Sequence, residues 1–178
     1  MTVSVLAVCS YNRVRSVMVE RLLQRAFAEA GKPALVRSAG FSDGGRPAMP
    51  DAIRVLREQG IDATDHHSTR VDTAMANESD LLLTAERLHV VRLVEDDGSL
   101  FKKVFTLPEF VQLATISGPR LGRPMAEWLE LVGLGRTHAT FLAAQPPEIS
   151  DPTGMTHATF AATVERIDGW CHTIASLL

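Results

Sequence analysis

Cys9, Arg15 and Ser16 stand in a Cys-x5-Arg-Ser spacing, within Cys9-Ser10-Tyr11-Asn12-Arg13-Val14-Arg15-Ser16. A cysteine thiolate is a strong nucleophile, and an arginine fork can grip two oxygens of a phosphate. Backbone N–H groups of a loop this short, with the open first turn of a following helix, converge on one spot and favour negative charge there. The chemistry implied is attack by Cys9 on an oxyanion held by Arg15. The competing reading makes Cys9 a small buried residue, as most free cysteines are. Only the flanking elements can decide between the two.

Those elements are the ones the chemistry needs. The apolar run Val3–Val8 reads as a buried strand delivering Cys9 at its end. After the loop, Met18, Val19, Leu22, Leu23, Ala26, Phe27 and Ala30 recur at helical spacing on one face, and Gly31-Lys32-Pro33 stops the helix. Ala34 to Ser38 reads as a second strand. Strand, helix, strand in this length implies a right-handed crossover and a parallel sheet. Ligands of such sheets bind at the carboxyl ends of the strands, where Cys9 lies.

Further on, Asp51–Gln59 reads as a short helix and Ile61–Arg70, with His66 and His67, as irregular chain. A third strand fits Asp80–Thr84, followed by a helix through Glu95, a turn at Asp96–Ser99 and a fourth strand at Lys103–Thr106. A helix is expected from Pro108 to about Ala114. Between Ser117 and Gln145 only Pro124–Leu134 looks helical. His-Ala-Thr-Phe occurs at His138 and again at His157, with no repeat around it, and is read as coincidence. The last helix places Phe160, Val164, Ile167, Cys171, Ile174 and Leu178 on one stripe, which makes Cys171 a packing residue.

Composition bounds the rest. The 178 residues suit a single domain, and a net charge of −3 with 22% charged residues argues against nucleic-acid or polybasic membrane partners. No apolar run reaches membrane-spanning length, and the N-terminal residues lack a signal-peptide layout. Two cysteines form no disulfide framework, and the histidines lack metal-ligand spacing. A reducing, cytoplasmic setting without metal or cofactor is expected.

A thiolate mechanism on a phosphate ester also needs a proton donor for the leaving group. Ser150-Asp151-Pro152-Thr153-Gly154, just ahead of the last helix, offers a carboxyl on a stiffened loop. Taken alone, Asp-Pro is an ordinary turn opener.

Taken together, the chain resembles the low-molecular-weight protein tyrosine phosphatases, a family that includes thioredoxin-linked arsenate reductases. Cys9, Asn12, Arg15 and Ser16 match the family's Cys-x-Gly-Asn-x-Cys-Arg-Ser loop. Ser38-Ala39-Gly40, Gly60-Ile61-Asp62 with His66, Asp80–Thr84 and Asp151-Pro152 match later segments in order. The resemblance implies an α/β three-layer sandwich, with a central four-stranded parallel sheet flanked by helices. It implies Cys9 as nucleophile, Arg15 as the phosphoryl-binding cation, and Asp151 as the acid that later activates water. Ser10, Tyr11, Asn12, Arg13, Val14 and Ser16 would complete the phosphate-binding loop. Asn12, Ser16, Ser38 and His66 would form the network that fixes it. Substrates would be phosphorylated proteins or small aryl phosphates.

The chain also departs from the pattern. Tyr11 replaces the loop glycine, and would be strained if that position needs positive φ. Val14 replaces the second loop cysteine. Arg13 adds a cation, read as solvated. Thr153 and Gly154 stand where aromatic residues are common, and residues 117–145 look like a helical insertion. Two alternatives follow: an arsenate reductase finishing its reaction with an external thiol, and an inactive phosphate- or phosphopeptide-binding module.

Overall fold

The computed structural model describes residues 2–178. Four strands, β1 (Val3–Cys9), β2 (Ala34–Gly40), β3 (Leu81–Thr84) and β4 (Val104–Thr106), form one sheet in the order β2-β1-β3-β4. All three pairings are parallel. The helices are α1 (Arg15–Glu29), α2 (Pro50–Glu58), α3 (Thr73–Glu78), α4 (Arg87–Asp96), α5 (Leu107–Ser117), α6 (Met125–Val132), α7 (His138–Ala143) and α8 (His157–Leu177). Two apolar clusters separate on the sheet's two faces, because alternate residues of a strand point oppositely. Val5, Ala7 and Cys9 pack with α1, α5, α6 and α8, whereas Leu6 and Val8 pack with α4 and Phe141. Strands buried on both faces explain the unbroken apolar runs Val5–Val8 and Leu81–Leu83.

The register places the site. Cys9 pairs with Gly40 at the carboxyl edge, and Thr84 and Thr106 end the other two strands alongside. The chain therefore leaves every strand at the same edge, and the loops gathered there build the cavity.

Several sequence expectations need amendment. Between the irregular stretch Ile61–Arg70 and β3 the chain adds α3, whose N-cap Asp72 accepts from Met75 N–H at 2.7 Å. Residues 117–145 hold α7 as well as α6. The repeated His-Ala-Thr-Phe marks no structural repeat, but its two copies share a local setting. Each copy opens a helix behind a threonine cap, Thr137 accepting from Thr140 N–H and Thr156 from Thr159 N–H. Phe141 and Phe160 then bury one turn in. The stripe on α8 is as expected: Phe160, Val164, Ile167, Cys171, Ile174 and Leu178 are all buried.

Candidate active site

Asn12 is the hub of the loop. It is buried and sits at φ 52°, a region asparagine tolerates better than most residues. Its backbone N–H donates to Cys9 Sγ at 3.2 Å. Its side-chain amide donates to Ser16 Oγ at 2.9 Å and Ser38 Oγ at 2.8 Å, while its Oδ1 accepts from Thr69 N–H at 2.8 Å. The Asn12 carbonyl is 2.8 Å from His66 Nε2. Ser16 Oγ in turn shares a hydrogen bond of 3.1 Å with Cys9 Sγ. One asparagine thus links β1, α1, β2 and the segment after α2, and orients the groups around the sulfur.

Arg15 opens α1 and is buried, and its guanidinium makes three hydrogen bonds at the cavity. One nitrogen donates to Glu86 and to the Ile149 carbonyl at 3.1 Å; another donates to Asp151 Oδ2 at 3.0 Å. Asp151 Oδ1 accepts from Thr153 N–H at 3.0 Å and Thr153 Oγ at 2.7 Å. Partial burial raises the Asp151 pKa, but the two Thr153 donors and the Arg15 charge outweigh it and hold the carboxyl below its ordinary value. The loop, Met49 and the Asp151–Thr153 turn enclose a cavity of about 300 Å³ with Cys9 and Arg15 in its wall. Ile149 N–H donates to the Ala85 carbonyl at 2.8 Å, which ties this turn to the end of β3.

A sequence model of the family described as low molecular weight phosphotyrosine protein phosphatase matches residues 4–121. The chain belongs to this family. It is 33% identical over 108 residues to the protein-arginine-phosphatase of Bacillus subtilis (strain 168), covering 60% of this chain and 71% of that protein. It is 37% identical over 93 residues to the low molecular weight protein-tyrosine-phosphatase Wzb of Escherichia coli (strain K12), covering 52% of this chain and 60% of Wzb. A solved low molecular weight protein tyrosine phosphatase from T. tengcongensis superposes with a TM-score of 0.76 at 26% identity, over 99% of this chain and 100% of that one. The expected fold and the phosphatase function are both borne out.

In this phosphatase the structure corrects two expectations about the loop. Tyr11 does not take positive φ; among non-glycine residues of the loop only Asn12 does. Tyr11 is 63% exposed, its ring at the cavity mouth. The tight contact falls instead on β2: a Cβ on Gly40 would lie 2.6 Å from Asn12 N and 2.9 Å from the Tyr11 carbonyl carbon. Arg13 is not simply solvated, since its Nε donates to the Pro47 carbonyl at 2.8 Å while the side chain lines the cavity. Val14 is buried at the cap position before α1, and Ser10 uses its carbonyl to accept from Phe41 and Ser42 N–H.

Three residues escaped the sequence reading. Glu20 on α1 accepts from Ser38 Oγ and lies 3.9 Å from His66 Nδ1, extending the Asn12 network. Glu86 and His89, at the start of α4, contact Arg15 and Ser10. Glu-x-x-His at a helix start is their sequence signal, and it is a common one. Cys171 is fully buried and its thiol is pushed well above the ordinary value by desolvation. Among the described residues, no cluster of three His, Cys, Asp or Glu is placed to hold a metal, and no helix is long and apolar enough to cross a membrane.

Proposed function

We propose that the protein hydrolyses phosphotyrosine or related aryl phosphates through a cysteinyl-phosphate intermediate. The observation carrying this is that Cys9, Arg15 and Asp151 border one cavity, with the Arg15 guanidinium bonded to Asp151. Cys9 Sγ attacks phosphorus while Arg15 and the loop N–H groups take up the charge of the phosphoryl oxygens. Asp151 gives its proton to the departing phenolate, then accepts one from the water that cleaves the S–P bond. Ser16 and the Asn12 N–H stabilise the thiolate when it leaves. Ser38 and His66 act one step back, by holding Asn12.

Tyr11 and Met49 at the mouth support an aryl group there, supplying apolar surface that Thr153 and Gly154 do not. A second reading, a phosphoarginine substrate, is favoured by the match to the Bacillus subtilis relative. Against it stands the cavity lining, whose one carboxylate, Asp151, is bonded to Arg15 and leaves no other to pair with the guanidinium part of that substrate. We read residues 1–178 as one phosphatase-like domain in which 117–145 is a helical addition. Trp128 of α6, buried in the main core, supports that reading. A thiolate nucleophile suits a reducing cytoplasm.

Purified protein is expected to hydrolyse p-nitrophenyl phosphate at mildly acidic pH, and Cys9→Ser to remove turnover. Turnover that survives the substitution overturns the mechanism. Faster release of phosphate from a phosphoarginine peptide than from a phosphotyrosine peptide overturns the aryl assignment in favour of the second reading.

A further inference from the structure

Ser10 and Arg15, near the two ends of the phosphate loop, are joined outside it by the first turn of α4. His89 Nε2 is 2.9 Å from Ser10 Oγ, and His89 Nδ1 is 3.2 Å from the Glu86 backbone nitrogen. The Glu86 carboxylate then receives the Arg15 guanidinium. The direction of each bond follows from chemistry. A backbone N–H can only donate, so Nδ1 must be the unprotonated acceptor. Burial, aided by the Arg15 and Arg92 charges against Glu86 and Asp151, pushes the imidazole pKa down to about 4. The ring is therefore neutral near pH 7, carries its one proton on Nε2, and donates to Ser10 Oγ. Phe41, stacked on the ring at 5.5 Å between centroids, holds its plane.

We propose that His89 is a positioning residue for the reaction. Through Ser10 it fixes the side of the loop next to the nucleophile, while Glu86 fixes the side that carries Arg15. The first turn of α4 thereby sets the separation between thiolate and guanidinium. The proposal rests on the phosphatase reading of the loop, because its consequence is felt in the transition state, where the phosphoryl group in transfer is bonding to sulfur while the guanidinium holds its oxygens.

Two amide substitutions separate this role from simple packing. Glutamine places its amide nitrogen near the position of Nε2 and keeps a donor for Ser10. Asparagine reaches only the Nδ1 position and keeps the bond to Glu86 alone. With p-nitrophenyl phosphate, H89Q is expected to stay within about threefold of the unsubstituted protein, and H89N to lose about tenfold in kcat, the scale of one hydrogen bond. Competitive inhibition by inorganic phosphate should change little in either. Ser10→Ala should match H89N, and the double substitution should be no worse than Ser10→Ala alone. Equal losses in H89Q and H89N, or losses that multiply in the double variant, overturn the proposal. The rate of Cys9 alkylation by iodoacetamide, with and without inorganic phosphate, gives a readout independent of turnover. If no protein in the set hydrolyses the ester, the functional reading fails. The alkylation rates then still decide: grouping H89N with Ser10→Ala, apart from H89Q, supports the brace, and any other grouping removes it.

Discussion

Arg15 Nη2 donates to Asp151 Oδ2 at 3.0 Å, an ion pair between residues 136 positions apart. It joins the first turn of α1 to the turn before α8, and so sets the acid over the loop. The same guanidinium reaches the Ile149 carbonyl and Glu86, so its plane is fixed from three sides. A fork held in this way can meet a phosphoryl group without first losing rotamer freedom.

The pH profile should report Asp151. A general acid works only while protonated, so activity falls as pH rises through its pKa. Because that pKa is held below its ordinary value in the free protein, the alkaline limb of kcat/KM should lie on the acid side of neutrality. Thr153→Val removes the hydroxyl donor but keeps the N–H, so the Asp151 pKa rises and the limb moves to higher pH. A limb that stays fixed or moves down assigns the acid elsewhere. Asp151→Asn should lower kcat by about 10²–10⁴ and spare inorganic phosphate binding.

Asn12→Ala should be among the most destabilising single changes. It leaves Ser16 Oγ, Ser38 Oγ and Thr69 N–H without their amide partner and puts alanine at φ 52°. A loss of about 2–4 kcal/mol is expected by denaturant unfolding. An unchanged midpoint would show that the network reorganises freely.

Gly40→Ala tests the close approach of β2 to the loop. Its Cβ would meet backbone atoms of Asn12 and Tyr11, so the loop must shift rather than a flexible side chain. Expected results are about 1–3 kcal/mol of lost stability together with a fall in turnover. Gly98→Ala, where a Cβ meets nothing within 4 Å and φ is ordinary, is the control and should do neither.

Native alkylation should label one thiol. Cys9 faces the cavity, whereas Cys171 is fully buried with an unreactive, protonated sulfur. A second adduct should appear only in denaturant. Cys171→Ala should leave turnover intact and cost about 1–2 kcal/mol as a small cavity. Native labelling of Cys171 would show that α8 opens to solvent far more readily than its packing implies.

Much of this was legible in the sequence, for reasons specific to each residue. The strand into Cys9 and the helix out of Arg15 are marked by runs that obey one period each. Asp151 was legible only through resemblance, since Asp-Pro carries no local signal of catalysis. Glu20, Glu86 and His89 were illegible because their partners lie 18, 71 and 79 positions away in sequence. Sheet register, not local pattern, brings them in. Tyr11 takes ordinary φ, and the close approach beside the loop falls on Gly40 of the neighbouring strand, a contact that no local pattern announces. The repeated His-Ala-Thr-Phe is two helix openings and no repeat. Its message was in the threonine before each copy, which caps a helix.

Tyr11 is the one tyrosine of the chain, and it stands at the cavity mouth. Growth on fluorotyrosine would therefore place a single fluorine nucleus beside the reaction. The protein's own composition makes it an NMR sensor, able to register arrival of an aryl group or of bare phosphate without a dye, a fusion or a mutation.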